Sequence, residues 1–454
     1  MKHIKSIALL SLTISLLLFS CKKNLDERPD KQLVIPSTVN DLQALLDDAF
    51  KMNLRQPSSG EGSADDYFLT YADWKSLSSE GARNTYIWGD ELYFTNNPNE
   101  WSEIYDVVYV SNIVLEHTLL ITPDAGSLAA WNNAKGSALF YRAHSFFRAA
   151  QLYTKAYDVV SASSDLGIPL RLNSNFNEPS VRSSVEDTYQ QIIKDVKQAI
   201  PLLPATPFHK MRPSKPAAFA LLARVFLSMR NYQQAGLYAD TCLQLYSTLL
   251  DYNQRNVNAF FPFSPRFNEE VIFHSYMPVP EYLINNVAKI DSGLIKSYND
   301  NDLRKSLFFA PDGNGNYNFK GSYEGTPNLF TGITSAEVLL IRAECFARQE
   351  QLTKALDDIN SLLSKRWKQG TFSLLTAANA MEALNIVLLE RRKELVMRDI
   401  RWMDVKRLNK EGANIIIKRV MNGQTFELLP NSEKYALPLP KYILDITGMD
   451  QNPR

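Results

Sequence analysis

The sequence predicts a mostly α-helical protein, in which tetratricopeptide-like helical hairpins form a scaffold that irregular segments interrupt. Apolar residues recur at helical intervals over most of the chain, and one helix-pair pattern occurs twice with identical internal spacing. Residues 55–100 and 251–333 lack that periodicity. Because long aperiodic segments in compact proteins usually have a functional role, we expect a loop-rich subdomain there.

The N-terminus has the features of an export signal. Two lysines precede an apolar run of 13 residues (7–19), which is too short to span a membrane but typical of a secretory leader. Ser20 then precedes Cys21, and this segment resembles the lipobox of bacterial lipoproteins. We expect residues 1–20 to be a signal peptide and residues 21–38 to be a lipid anchor and tether that starts at acylated Cys21. The alternative is an ordinary signal peptide in which the cysteine is incidental.

Composition excludes one class of partner. Lys plus Arg and Asp plus Glu each number 49, so the formal net charge is zero and no basic face favours a nucleic-acid partner. Apart from Cys21, the cysteines are Cys242 and Cys345, both in helical patterns. We expect them to be small buried hydrophobic residues rather than a disulfide.

Local signals place the first helices. Apolar faces with helical spacing start at Val39, Trp101 and Trp131. Ser183 and Glu186 are three residues apart at the start of another amphipathic run, which predicts a capping box.

The strongest internal signal is a repeated helix pair. In both copies small, apolar and aromatic residues fall at offsets 0, 4, 7, 16 and 20. They are Phe219, Ala223, Phe226, Ala235 and Ala239 in one copy, and Leu339, Ala343, Phe346, Ala355 and Ile359 in the other. This spacing is typical of a tetratricopeptide repeat, in which a small residue lets the second helix approach closely. Leu139, Ala143 and Phe146 form a partial third copy, and the alternative is ordinary helical hairpins without true repeats.

We therefore expect a single domain over residues 39–454. Its helical repeats are predicted at approximately residues 101–250 and 334–410, with irregular insertions at approximately 55–100 and 251–333. Insertions in a helical repeat array gather on one face, which is often the binding face.

Five motifs, in order along the chain, give a family resemblance. They are the segment after the lipobox cysteine (residues 21–30), the Asp-Leu-Arg of residues 302–304, the helix of residues 339–348, the charged stretch of residues 390–408 (ERRKEL and RWMDVKRL) and the ending of residues 435–453 (YALPLP and QNP). Each motif alone is weak, but the set covers essentially the whole chain. The sequence resembles the SusD/RagB family of outer-membrane nutrient-uptake lipoproteins.

The resemblance implies four repeat-like hairpins and an irregular ligand-binding subdomain. It also implies a lipoprotein anchored in the outer membrane through Cys21 and exposed at the cell surface. Such a protein acts as the lid of a TonB-dependent transporter and presents oligosaccharides or peptides to it. Glycan binding is the leading hypothesis. Peptide cargo, a surface glycoside hydrolase and an assembly scaffold without a small ligand are the alternatives.

The acidic residues of the charged stretch are interpreted as structural. Glu390 and Glu394 lie one helical turn apart among arginines and a lysine, which favours ion pairing over glycoside cleavage. Asp399 and Asp404 receive the same interpretation. We therefore expect no catalytic residue and no cofactor.

No metal site is expected either. The histidines are scattered and lack the spacing of zinc ligands. Asp312, Asn314 and Asn316 share the spacing that starts a calcium loop, but Tyr317 and Tyr323 occupy its glycine and glutamate positions. A plain turn is predicted.

Ligand binding is predicted to use aromatic side chains of the irregular segments, because the C–H face of a sugar packs on an aromatic face. The candidates are Tyr67, Trp74, Trp88, Tyr93, Tyr282, Tyr317 and Tyr323. For any one of them, burial in the core is the alternative. Trp101 and Tyr105 are assigned to a helix core, because their spacing continues along the helix.

Overall fold

The computed structural model describes residues 36–94 and 99–454. The predicted signal peptide, Cys21 and most of the predicted tether lie outside these residues. Helices dominate the regular structure, which confirms the predicted mostly α-helical fold. The helices are α1 (Val39–Leu46), α2 (Ala49–Met52), α3 (Ser59–Ser63), α4 (Tyr71–Ser76), α5 (Glu80–Ile87), α6 (Glu100–Thr118), α7 (Leu128–Tyr153), α8 (Val185–Ala199), α9 (Lys215–Ser228), α10 (Tyr232–Leu245), α11 (Ser292–Lys296), α12 (Leu303–Phe308), α13 (Ser335–Arg348), α14 (Leu352–Ser364), α15 (Ala380–Glu394), α16 (Arg401–Asn409) and α17 (Lys441–Thr447).

The strands of the described residues are short and pair two at a time, always antiparallel. The pairs are β1 (Tyr67–Phe68) with β6 (Lys289–Ile290), β2 (Leu166–Pro169) with β3 (Arg182–Ser184), β4 (Val271–Phe273) with β10 (Ile333–Thr334), β5 (Tyr276–Met277) with β9 (Leu329–Phe330), β7 (Phe309–Pro311) with β8 (Tyr317–Phe319), and β11 (Ile417–Met421) with β12 (Gln424–Leu428). Two-stranded ribbons have little stability of their own, so side-chain packing must hold them in place.

The repeated sequence pattern forms two helix pairs. Helix α9 packs on α10 and α13 packs on α14, so both copies adopt the predicted helix-turn-helix. The small residues Ala223 and Ala343 are fully buried. The two pairs also meet closely, since a Cβ added at Gly236 would lie 3.0 Å from the Cβ of Cys345. Cys242 and Cys345 are buried free thiols, as expected.

Helix α8 begins one residue later than the predicted capping box. Ser184 rather than Ser183 is the N-cap, and its hydroxyl accepts a hydrogen bond from the Asp187 N–H at 2.9 Å. The hydroxyl of Ser183 instead donates to the Ile168 carbonyl at 2.7 Å, across the β2–β3 pair. The prediction of Ser183 and Glu186 was therefore wrong, because sheet pairing holds Ser183 in the strand.

Buried apolar residues form two large clusters. One lies among the scaffold helices. The other, which we call the second core, is built by the irregular segments, and aromatic rings such as Tyr86, Tyr252, Phe263 and Phe308 dominate it. Because short strands and loops offer no long apolar face, large rings supply most of the area buried there.

A buried ion cluster joins the scaffold to the second core. Glu394, at the end of α15, accepts hydrogen bonds from Arg304 at 3.2 Å and from Arg366 at 2.8 Å. Arg366 also binds Glu270 at 2.9 Å, and Arg304 binds Asp302 at 2.7 Å. We call these five buried residues the Glu394 network. Burial raises the pKa of Glu394, but Arg366 and Arg304 outweigh that effect and hold the pKa below its usual value.

The second half of the charged stretch forms a similar cluster. Asp404 accepts hydrogen bonds from Arg391 and Arg407, each at 2.8 Å. Arg407 also binds both carboxylate oxygens of Glu344, on α13, at 2.6 and 2.8 Å. The stretch therefore forms ion pairs, as predicted, and most of its partners come from distant segments.

The C-terminal motif is fixed by side-chain amides. The Asn452 amide donates to the carbonyls of Tyr153 at 2.9 Å and Leu437 at 2.7 Å. Gln451 pairs with both backbone groups of Leu439, at 2.8 and 2.9 Å. These bonds hold the chain end against the C-terminal end of α7.

Replacing Glu394 by alanine tests the Glu394 network. Removing one partner of a buried ion pair leaves uncompensated charge, which costs about 3–5 kcal/mol. We expect Glu394→Ala to lower the free energy of unfolding by about that amount, measured by urea denaturation with circular dichroism.

Asp445→Ala is the control, because the Lys441–Asp445 pair, at 2.9 Å, is exposed. It should change stability by less than about 1 kcal/mol. Equal losses in the two variants would contradict the proposed role of the network.

Candidate functional site

Tyr67 and Trp88, two of the predicted ligand contacts, surround a buried arginine. The Arg419 guanidinium lies 3.7 Å from the ring centre of Tyr86, 4.9 Å from Trp88 and 5.3 Å from Tyr67. It also donates hydrogen bonds of 3.3 Å to the Gly62 carbonyl. The three rings therefore stabilise a buried cation. Burial raises the pKa of Tyr67 above its usual value.

Tyr282 and Tyr323 are also enclosed. Tyr323 has no exposed surface; its hydroxyl shares a 2.5 Å hydrogen bond with that of Tyr252, and its ring centre lies 4.0 Å from the Arg398 guanidinium. Tyr282 is 5% exposed, and its hydroxyl lies 3.2 Å from the Ser58 hydroxyl.

We therefore place Tyr67, Trp88, Tyr282 and Tyr323 in the hydrophobic interior, which corrects the prediction that they face a ligand. Irregular segments need large rings to exclude water, and sequence spacing in a loop does not separate inward from outward rings. Tyr93 is half-buried, and its hydroxyl shares a 2.7 Å hydrogen bond with that of Tyr153.

Trp74 lies at the surface with a neighbour that the sequence analysis missed. Thr70 caps α4, and the three-residue spacing puts Tyr71 and Trp74 on one helix face. Their ring centres are 6.1 Å apart with planes inclined by 29°, and Tyr71 is 36% exposed. The Trp74 indole N–H donates to the Arg83 carbonyl at 3.1 Å, which fixes the ring. The pair forms a small aromatic platform.

Tyr317 is half-buried and lines a cavity of about 580 Å³, which we call the Tyr317 cavity. Sites for small ligands usually measure about 300–1,000 Å³. The polar groups in the cavity wall come from Asn258, Asp300, Asp302, Lys305, Ser306, Lys320 and Lys368. An aromatic face next to amide, hydroxyl and ammonium groups can hold a ligand that is apolar on one side and rich in hydroxyl groups at its edge.

A tight turn positions Tyr317. The β7–β8 hairpin pairs Tyr317 with Pro311. Asp312 Oδ1 accepts hydrogen bonds from the N–H groups of Asn314 at 2.8 Å and Asn316 at 3.0 Å, which confirms the predicted turn. Within residues 36–94 and 99–454, no group of three or more His, Cys, Asp and Glu side chains has an arrangement that could hold a metal ion.

A second aromatic surface lies on the scaffold. Trp101, Tyr105 and Tyr109 follow at four-residue intervals on α6 and line a groove of about 240 Å³. Trp101 is 5% exposed, in agreement with its assignment to a helix core, but Tyr109 is 43% exposed.

Two further cavities are larger than this groove. One of about 650 Å³ lies between scaffold helices, and one of about 390 Å³ lies beside the loop after α8. Neither is lined by a predicted ligand residue.

Glu61 is an unusual buried carboxyl group. It is fully buried, and one oxygen accepts a hydrogen bond from the Asp399 N–H at 2.7 Å, while the other contacts no hydrogen-bond donor among the described residues. Burial raises the pKa of Glu61 well above its usual value, and the charges of Asp66 and Asp65 raise it further.

The fold defines a helical-repeat protein whose irregular segments build a second core with a cavity at its surface. Residues 23–227 match a family model described as starch-binding and associating with the outer membrane, and residues 330–453 match the model of the SusD family. SusD-like protein P2 of Formosa agariphila is 23% identical over 404 residues, which cover 75% of this chain and 76% of that relative. The chain belongs to the SusD/RagB family, which confirms the resemblance.

Solved structures agree in fold. A SusD superfamily protein from Bacteroides thetaiotaomicron superposes with a TM-score of 0.74 at 22% identity, over 92% of this chain and 100% of that chain. A SusD-like carbohydrate binding protein from Bacteroides vulgatus gives a TM-score of 0.65 at 19% identity, over 91% and 97% of the two chains. At these identities the likeness shows the shared fold.

Glu61 predicts a measurable pH dependence. Because its pKa is raised on folding, its contribution to stability is complete below the unfolded pKa and falls as pH rises above it. We expect the stability of Glu61→Gln to decline less than that of the wild type between about pH 4.5 and 8, measured by thermal unfolding across a pH series. A decline as steep as in the wild type would show that Glu61 is not the titrating group.

Proposed function

We propose that this chain is a non-enzymatic surface lipoprotein that binds an oligosaccharide and delivers it to a partner TonB-dependent outer-membrane transporter. Family membership supports the role, since the matched family model is described as starch-binding and associating with the outer membrane. A relative of the same fold is described as carbohydrate binding.

The observation that carries this proposal is the Tyr317 cavity. It combines an aromatic face with the amide of Asn258 and the hydroxyl of Ser306 in a space of about 580 Å³. A sugar ring offers the complementary pattern, with apolar C–H faces and a polar edge. The aromatic platform of Tyr71 and Trp74 is proposed as a further ring contact, and its Trp74 packs against the second core.

The pairing of the carboxylates supports binding without hydrolysis. A glycosidase needs two carboxyl groups that flank the substrate bond and can reach it. Glu390 pairs with Arg304 at 2.5 Å and Lys393 at 2.8 Å, and Asp399 pairs with Arg148. These groups are buried among cations and do not line the Tyr317 cavity. The carboxylates that do line it are already paired, Asp300 with Lys305 and Asp302 with Arg304 and Lys393.

Membrane attachment is proposed to use lipid at Cys21. Each CH₂ group of an acyl chain that enters the bilayer contributes about 0.8 kcal/mol, so several chains give stable attachment. In residues 36–94 and 99–454, no helix has both the length and the apolar character of a membrane span.

Substituting two half-buried rings, Tyr317 and Trp74, tests ligand binding. Aromatic contacts contribute about 0.5–1.5 kcal/mol each, so Tyr317→Ala and Trp74→Ala should each weaken binding about 2- to 10-fold. Isothermal titration against neutral and acidic oligosaccharides and peptides measures this, with wild-type dissociation constants of roughly micromolar to millimolar expected.

Two variants serve as controls. Tyr317→Phe keeps the ring. Trp131→Ala removes a half-buried tryptophan whose indole N–H, like that of Trp74, donates to a backbone carbonyl, here Thr118 at 3.2 Å. Both should bind like the wild type. Binding of peptides alone would refute the glycan assignment, and release of sugar products would refute the non-enzymatic one.

The anchor has its own test. We expect labelled palmitate to be incorporated into the wild-type protein and not into Cys21→Ser, with the variant lost from the outer-membrane fraction. The absence of label from the wild-type protein would overturn the lipoprotein assignment and leave sugar binding unaffected.

A further inference from the structure

The Tyr317 cavity has an excess of unpaired positive charge. Three lysines line it, Lys305, Lys320 and Lys368, together with the aspartates Asp300 and Asp302. Which of these charges are already neutralised decides what kind of ligand the cavity favours.

Both aspartates already have partners. Asp302 belongs to the Glu394 network, where it binds Arg304 at 2.7 Å and Lys393 at 3.2 Å. Asp300 pairs with Lys305 at 2.6 Å. In the part of the chain that the structure describes, neither Lys320 nor Lys368 forms a salt bridge. Lys368 lies near enough to Asp300 to help lower the pKa of that carboxyl group, whereas Lys320 has no acidic group beside it.

Lys320 is the more informative of the two, because it is half-buried. Its ammonium donates hydrogen bonds to the carbonyls of Val257 at 2.7 Å and Ala259 at 3.5 Å. An ammonium group carries three protons, so one proton remains for a ligand. Burial lowers the pKa of Lys320, and no nearby acidic group counteracts this effect.

An anion would satisfy this arrangement. A hydrogen bond between two charged groups is roughly twice as strong as a hydrogen bond between neutral groups. Water screens a half-buried cation less than an exposed one, so a counter-ion stabilises the half-buried cation more. Lys368 is exposed at the cavity rim and adds a second positive charge.

We propose that the Tyr317 cavity binds an acidic oligosaccharide, whose sugar rings carry carboxylate or sulfate groups. Lys320 and Lys368 contact the anionic groups, and Tyr317 contacts the face of a ring. The inference rests on the proposed function, because it names the substrate class of the same site.

Isothermal titration of the full-length protein in detergent tests this assignment. The ligands are oligogalacturonates and alginate oligosaccharides for carboxylate, carrageenan oligosaccharides for sulfate, and malto-, cello- and xylo-oligosaccharides as neutral sugars. We expect at least one acidic series to bind about 10-fold more tightly than every neutral series, and its affinity to fall as salt increases. The carboxylate and sulfate series identify the anion.

Lysine variants locate the contacts. Lys320→Met keeps the apolar stem and should weaken acidic binding about 10-fold, whereas Lys368→Gln, at an exposed position, should weaken it about 3-fold. Neutral sugars should be unaffected by either change. Lys197→Gln is the matched control, because this exposed lysine of α8 lies outside the cavity and its removal changes net charge equally. Thermal unfolding verifies that each variant is folded, and exposed Lys368 keeps the test valid if Lys320→Met is unstable.

The outcomes separate the two proposals. Neutral sugars that bind as tightly as acidic ones, with both lysine variants behaving like Lys197→Gln, would overturn the acidic assignment and leave the proposed function intact. Failure of every acidic and neutral series to bind would overturn both.

Discussion

The packing of the second core against the scaffold helices depends on the buried carboxylate of Glu394. Burying an ionised carboxylate without a partner costs several kcal/mol, so Arg304 and Arg366 must reach it, although one precedes it by 90 residues and the other by 28. Arg366 follows the scaffold helix α14, and Arg304 lies in α12 of the irregular region. The ion pairs therefore fix the second core against the helices. They also fix the hairpin that directly follows α12, which carries Tyr317.

The helical scaffold could be predicted from the sequence because its determinants are local. Alanines and aromatic rings at fixed offsets define both the helix faces and the contacts between paired helices. These residues lie where the pattern places them, as Ala223 and Ala343 show.

The charged stretch was correctly interpreted as ion-pairing. Its partners could not be named, because they lie in segments that come together only in the folded chain. The capping box of α8 was misplaced by one residue for a related reason, since Ser183 belongs to a sheet whose other strand begins at Leu166.

The ligand surface was predicted less well, for a physical reason. In a helix, spacing shows which side chains face the core, but loops and two-residue strands lack such a period. Tyr67 and Trp88 enclose Arg419, which is more than 300 residues away in sequence, so no local pattern could show that their faces were covered. The contact of the Tyr323 ring with Arg398 likewise could not be predicted from the local sequence. Trp74, Tyr93 and Tyr317 remain as proposed contacts. The three-residue spacing of Tyr71 and Trp74 in a short helix could have predicted the second ring of the platform.

The residues that stabilise the fold and the proposed ligand contacts are largely different, and Asp302 is shared by the Glu394 network and the cavity wall. The Glu394 network and the small residues between helices are buried, so a change there affects the whole fold. An exposed turn joins Pro311 and Tyr317, two residues of the cavity wall. In this turn Gly313 and Gly315 adopt φ of 81° and 87°, and no atom lies within 4 Å of an added Cβ. Both glycine positions therefore have room for a larger side chain, although their positive φ still favours glycine. A solved relative keeps this fold at 22% identity. In this chain the buried ion pairs of the Glu394 network hold the architecture, while Lys320 and Lys368 of the cavity wall belong to no salt bridge among the described residues, so their charge can change without breaking those pairs.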